Sequence, residues 1–274
     1  MARIDSINVL LTDGGKDKLS EQYGKVIANV QKKCISQALK NTNLSGTPGA
    51  GSYECKRFAN RTSNEYGTAR SGGRGQSVKV TPVVVSIDTD KELVTEVEQK
   101  DVTLSGVDNF VARQADMDEK SMQRELERAF FATGVEAATA VTPASGATVA
   151  EVAEALIQSV ETVSNEFVDG VERDEIAVVC STAYFGQLRT YMDTVENGGA
   201  EGAQIGNYHG VKFYSSTYLP AGTKALAMHK GAIAQPVLPT VAPAEKIQLS
   251  NAIGFGLFYS YGTKAVEPDL LFKY

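Results

Sequence analysis

Histidine is scarce: only His209 and His229 occur in 274 residues, twenty positions apart. Metal ligation and general acid-base chemistry recruit histidine more than any other side chain, so both residues read as structural or surface positions. Phosphate-cradling motifs are missing too. No GxxxxGK followed by Ser or Thr occurs, and the GFG at Gly254 runs on to Tyr259, where a dinucleotide fingerprint needs glycine. Carboxylate pairs are present at Asp88 with Asp90 and Asp116 with Asp118, but the first fits a turn and the second cannot share a helix face. The sequence therefore offers no catalytic residue, no cofactor site and no metal site, and an enzyme is not expected.

Cysteine is limited to Cys34, Cys55 and Cys180, an odd and scattered set without a CxxC pair, which reads as buried reduced thiols rather than a disulfide framework. No apolar run approaches the roughly 18 to 20 residues of a spanning helix. The opening MARIDSINVLLTDGG places Asp5 and Asp13 around a short apolar run and does not read as an export signal.

What is present is the composition of a globular protein, 42% hydrophobic and 22% charged, in a chain long enough for one large or two small domains. The net charge of −6 hides an asymmetry. Residues 1–80 carry 13 Lys and Arg against 6 Asp and Glu, and residues 81–274 carry 14 against 27. A basic arm lying on an acidic body, its own or a neighbouring copy's, follows from that split.

Apolar residues at Leu19, Tyr23, Val26, Ile27, Val30 and Cys34 predict a helix from Lys16 to about Leu39. NTNLSGTPGAGS (41–52) is turn chemistry, and Tyr53 to Ser77, polar and glycine-rich around SGGRG, reads as a long loop. KVTPVVVSID and ELVTEVEQKDVTL are β-rich, with DTDK between them as a hairpin turn and Pro82 marking an edge strand. A long charged helix follows, capped by Ser105 or Asp108 and stopped at Gly134. Thr148 and Glu151 form a capping-box pattern ahead of a clean apolar face from Val149 to Phe167. IAVVCS reads as a buried strand and STAYFGQLRTYMD as a helix capped by Ser181 or Thr182. Thr194 to Gly210 reads as an acidic loop, GVKFYSSTYLPAG and TKALAMH as strands joined by a Pro-Gly turn, KGAIAQP as a short helix, and AIGFGLFYSYGTKAVEPDLLF as a closing strand pair.

That joint order, from the glycine-rich loop and strands through the long charged helix, TVAEVAEALIQSV and AVVCSTAYFGQLRTYM to HGVKFYSSTYLPAGTKALAMHKGAIAQP and GLFYSYGTKAVEPDLL, resembles the Hong Kong 97-type capsid fold. Tailed-phage major capsid proteins and encapsulins share it. The resemblance implies an α+β chain with an N-terminal arm (1–44), an extended β-hairpin loop (45–90), a peripheral domain with a spine helix (91–145, closed by 246–274) and an axial domain (146–245). Where the family often begins with a long scaffolding segment, this sequence opens on the arm, which implies a separate scaffold or earlier processing.

The implied role is a structural subunit of an icosahedral head, assembling in the bacterial host cytoplasm as pentamers and hexamers around double-stranded DNA and residing in the virion. Its implied partners are copies of itself, a scaffold protein, a portal, a decoration protein and weakly held DNA; no membrane partner is implied. Alternatives are an encapsulin-type compartment holding a cargo enzyme, or an unrelated α/β enzyme or binding module. An ARSGGRG tract (69–75) without repeated RGG units reads as a loop rather than an RNA-binding tract. The basic loop has too few apolar residues to order itself, so Arg57, Arg61, Arg70 and Arg74 are expected to reach Asp116, Glu119 or Glu127 on an adjacent subunit's long helix.

Overall fold

The computed structural model describes residues 6–46, 51–67, 77–102, 106–195 and 207–274. In chain order its strands are β1 (Ser52–Phe58), β2 (Val80–Ser86), β3 (Thr89–Val97), β4 (Thr139–Ala140), β5 (Ile176–Ser181), β6 (Asn207–Tyr208) and β7 (Val211–Ser216). They continue as β8 (Ala225–His229), β9 (Ile233–Ala234), β10 (Val237–Lys246), β11 (Ile253–Tyr261), β12 (Lys264–Ala265) and β13 (Leu271–Lys273). The chain divides into two compact units, one of Met1–Ala38, Ile87–Ala129 and Gln235–Gly262, the other of Leu39–Ser86, Phe130–Ala234 and Thr263–Tyr274.

In the first unit an arm helix spans Asp13–Lys33, three residues earlier than its apolar stripe predicts, because Thr12 caps it by accepting from the Gly15 N–H at 3.2 Å. Gly15 admits no side chain: a Cβ there would lie 2.0 Å from the Val9 carbonyl oxygen of the preceding turn. The helix breaks at Cys34, which is extended, and a second short helix runs Ile35–Leu39. At the break the Ile35 N–H donates to the Glu127 carboxylate, 92 positions away, at 2.7 Å rather than to a helix carbonyl.

Leu19, Tyr23, Val26 and Val30 pack with Val111, Ala115, Met122 and Leu126 of the long helix and with Phe255 and Leu257 of a three-stranded antiparallel sheet, order β10-β11-β3. β11 turns Ile253, Phe255, Leu257, Tyr259 and Tyr261 to the buried side. β10 is not legible in the sequence, because Pro239 and Pro243 interrupt its pattern. It is an edge strand, and its register shifts between Ala242 and Glu245, where a missing proline N–H costs no ladder bond.

The second unit is built on a six-stranded mixed sheet, order β4-β13-β8-β5-β7-β6. β5, the expected buried strand, is its centre, parallel to β7 and antiparallel to β8. Helices Val149–Glu161 and Thr182–Val195 cover the side of Ile176, Val178 and Cys180 with Val152, Leu156, Val160, Tyr184 and Leu188. The capping box forms as expected: Thr148 accepts from the Glu151 N–H at 3.3 Å, and Glu151 accepts from the Thr148 N–H at 2.7 Å. Ser181 caps the other helix, accepting from the Tyr184 N–H at 3.3 Å.

Several expectations are corrected. The DTDK segment is not a hairpin turn, because β2 pairs with β1 while β3 pairs with β11, in a different sheet. Alternation shows that a strand has two faces but does not name its partner. Ser52–Phe58 is a strand, not loop, and KGAIAQP contains β9 rather than a helix. β7 and β8 are joined by the expected Pro-Gly turn, with the Thr223 N–H donating to the Pro220 carbonyl at 3.2 Å, but β5 lies between them in the sheet. The face expected to extend to Phe167 ends with its helix at Glu161.

Gly134 does not stop the long helix, which spans Val107–Ala137. It is a packing position, where a Cβ would lie 2.8 Å from Ile233 Cδ1 and 3.0 Å from Leu226 Cδ2. The divisions drawn at 145/146 and 245/246 do not coincide with the two compact units: β10 joins β11, and β13 joins β8. Ser105, the SGGRG centre of the basic loop and residues 196–206 of the acidic loop lie outside the described residues.

Candidate assembly surfaces

β1 and β2 form a two-stranded antiparallel hairpin whose two faces differ sharply. Cys55 and Val85 point inward and pack with Ala234 and Val266. The opposite face puts Phe58 directly across from Val80, with Val84 further along, and leaves all three exposed, Phe58 by 61%. Exposed apolar surface of this kind marks a contact face, and a lone two-stranded hairpin has little stability of its own.

Its inward face near the connecting segment is fixed by charge. The Arg57 guanidinium donates to the Asp269 carboxylate at 2.9 Å and lies over the Phe167 ring at 4.3 Å, while Asn165 Nδ2 donates to the same carboxylate. Burial pushes the Asp269 carboxyl upward, but the bonds from Arg57 and Asn165 and the Arg57 charge outweigh it and hold it below its ordinary range. Lys79 pairs with Glu166 at 3.0 Å. Beside them a recess of about 770 Å³ is walled by Phe58, Arg61, Val78, Lys79 and Asn165.

The outer face of the β10-β11-β3 sheet is a second candidate. Val94 and Phe258 are exposed there, 48% and 42%, and Asp90, Glu92 and Glu96 share the face of β3 with Val94. A shallow groove of about 520 Å³ runs past them to Pro243 and Ile247.

The residues expected to clasp a neighbour are placed as follows. Arg57 has its carboxylate within its own chain, at Asp269. Arg61 is exposed, and Arg70 and Arg74 lie outside the described residues. Asp116 is exposed on the long helix. Glu119 is buried and accepts from Lys33 Nζ at 2.6 Å and Asn29 Nδ2 at 2.9 Å; Glu127 is buried and holds the Ile35 N–H. Arg57, Glu119 and Glu127 are thus committed inside the chain, which leaves Arg61 and Asp116 as the described members of that set open to a partner.

Reading residue types alone missed Asp118, which accepts from the Tyr23 hydroxyl at 2.9 Å in the core of the first unit. A signal was available: Val111, Ala115, Asp118 and Met122 recur at helical spacing, so Asp118 fills an inward position.

His229 Nδ1 meets Glu267 at 2.8 Å, and its Nε2 lies 3.8 Å from Glu175. Among the described residues no group of three His, Cys, Asp or Glu side chains is gathered closely enough to hold a metal ion, and no helix is long and apolar enough to cross a membrane.

No protein-family model and no curated protein matches the sequence. The fold does match solved structures. A chain of Mycobacterium phage Che8 superposes with a TM-score of 0.60 at 19% identity, over 81% of this chain and 84% of that one. The capsid of cyanophage P-SCSP1u gives 0.61 at 14% identity, over 88% and 87%. A virus-like particle from Pyrococcus furiosus gives 0.59 at 10% identity, over 93% and 97%. The chain therefore has the α+β, Hong Kong 97-type fold that these capsid structures share.

Proposed function

We propose that this protein is the structural subunit of an icosahedral phage head, assembling as pentamers and hexamers around double-stranded DNA, with no catalytic step of its own. The observation that carries this reading is that the fold likeness to a phage capsid spans most of both chains, 88% and 87% for the cyanophage. The exposed apolar face of the β1–β2 hairpin supports it, since a second copy would bury Phe58, Val80 and Val84. The virion is its place, after assembly in the bacterial host cytoplasm, with scaffold, portal and decoration proteins as partners. DNA contacts are weak and non-specific, because residues 81–274, with 14 Lys and Arg against 27 Asp and Glu, repel phosphate.

Between copies, Arg61, Arg70 and Arg74 reach toward acidic groups of the neighbour's long helix, Asp116 among them. Replacing those three arginines by Gln should weaken assembly and flatten its salt dependence; unchanged assembly at every salt concentration rejects this contact.

Electron microscopy of the purified protein, alone and with a co-expressed scaffold, tests the main reading: closed shells are expected. Monomers or small oligomers under all conditions would overturn it. The Pyrococcus furiosus particle keeps a second reading in view, an encapsulin-type compartment. Native particles holding nucleic acid support the phage head, and particles holding a folded cargo protein support the compartment.

A further inference from the structure

Three carboxylates within ten positions of the long helix, Asp118, Glu119 and Glu127, each receive hydrogen bonds from the arm. The Tyr23 hydroxyl reaches Asp118 at 2.9 Å, Asn29 and Lys33 reach Glu119 at 2.9 and 2.6 Å, and the Ile35 N–H reaches Glu127 at 2.7 Å. Arm and helix thus run in parallel register, since partners advance together along both. All three carboxylates are buried, between 2% and 7% exposed. A hydrophobic seam alone would dock the arm, so these groups add something other than adhesion: a buried carboxylate costs free energy when ionised and must be hydrogen-bonded to be tolerated.

We propose that this row of carboxylates is a proton-sensitive latch, which grips the arm more tightly in mild acid than at neutral pH and slackens again in stronger acid. The groups facing it are few. The arm supplies Tyr23, Asn29, Lys33 and the Ile35 N–H; the long helix itself supplies Gln114, Asp116, Lys120 and Gln123; and the strand side supplies Phe255, edge-on to Tyr23 at 6.4 Å.

The three carboxyls are driven in opposite directions. Burial raises Asp118 and Glu127 above their ordinary 3.8 and 4.5, against the hydrogen bonds each accepts. Glu119 is also penalised by burial, but bonds from Lys33 and Asn29 and the Lys33 charge outweigh that and lower it below 4.5. A raised carboxyl favours the docked arm at low pH, and this contribution is lost as pH climbs through the raised value; a lowered one favours docking at high pH, and this is lost as pH falls through the lowered value. Docking therefore peaks between the two, in mildly acidic solution. The geometry permits protonation without breaking contacts. A neutral Asp118 still accepts from Tyr23, and its new O–H meets the Gln114 side chain, which now donates to Asp118 Oδ1 at 3.2 Å and can turn its amide oxygen inward.

Hydrogen exchange of residues 13–39 in the full chain, expressed as protection relative to β5, reads the latch directly. Arm protection should rise as pH is lowered from neutral toward the ordinary carboxylate range near 4, by up to about tenfold for each full unit by which a carboxyl is raised. The D118N/E127Q double variant mimics the protonated pair, so it should show the high protection already at neutral pH and no rise. E119Q should lower arm protection at neutral pH and keep the rise. A flat or falling wild-type profile over that range overturns the proposal, as does a double variant that retains the wild-type slope. If the double variant loses protection in β5 and is not folded, D118N alone replaces it, and the rise should be smaller than in the wild type.

Discussion

Arg57 and Asp269 stand 212 positions apart in the chain and meet at 2.9 Å beneath the β1–β2 hairpin, with the Arg57 side chain only 11% exposed. The contact fastens a strand near the start of the second unit to the turn just before its last strand. It also explains why Arg57, read from the sequence as a clasp for a neighbour, is not free to act as one. A largely buried guanidinium needs a carboxylate, and its own chain provides it.

Replacing Arg57 by Ala should loosen the connection end of the β1–β2 hairpin. Asp269 would lose its charged partner, and the cation over Phe167 would be lost, for about 2 kcal/mol of local stability. Hydrogen exchange across Ser52–Phe58 checks this; unchanged protection rejects it. The same pair fixes a pH dependence. Because the Asp269 carboxyl is held below its ordinary 3.8, its contribution is complete above that value and disappears as pH falls through the lowered one. Hairpin protection should therefore survive to about pH 4 and then drop, and the Arg57→Ala variant should show no such drop.

Two glycine substitutions should act with opposite signs. Gly186, exposed in helix Thr182–Val195, has open space where a Cβ would go, so Gly186→Ala should stabilise by about 0.5 to 1 kcal/mol. Gly134 is also helical, but its Cβ would press on fully buried Ile233 and Leu226, and overpacking of about 1 to 3 kcal/mol exceeds the propensity gain. Gly134→Ala should lower the Tm, and Gly186→Ala should raise it.

Thr148→Ala removes the acceptor for the Glu151 N–H and half of the capping box. A loss of about 1 kcal/mol in denaturant unfolding is expected. Thr148→Ser should recover most of it, because the hydroxyl is what caps.

Cys34, Cys55 and Cys180 are all buried and none is in a disulfide, and burial pushes the Cys180 thiol up to about 12. A thiol reagent at neutral pH should label none of the three rapidly in the native protein and all three after denaturation. Fast native labelling of Cys180 would contradict its place at the centre of the six-stranded sheet.

The parts of the fold that could be read from the sequence are those set by local chemistry. IAVVCS is apolar without a break because β5 is covered on both faces, Thr148 and Glu151 sit at capping distance along the chain, and the Leu19–Tyr23–Val26–Val30 stripe repeats at helical spacing. The absence of histidine clusters and glycine fingerprints is likewise visible in the residues alone. What could not be read depends on partners distant in sequence. β2 faces β1 and not β3, and β10 survives two prolines because it is an edge.

The candidate surfaces divide the same way. That the first 80 residues are basic and the remainder acidic is a fact of sequence, and so is the prospect of a basic arm on an acidic body. Only the tertiary structure decided that the arm helix lies on carboxylates of its own chain, that Glu119 and Glu127 are consumed there, and that Phe58 and Val80 are left facing outward. The physical reason is common to all three. Charge and periodicity act through the residue itself, whereas burial and pairing belong to whichever distant segment the fold brings against it.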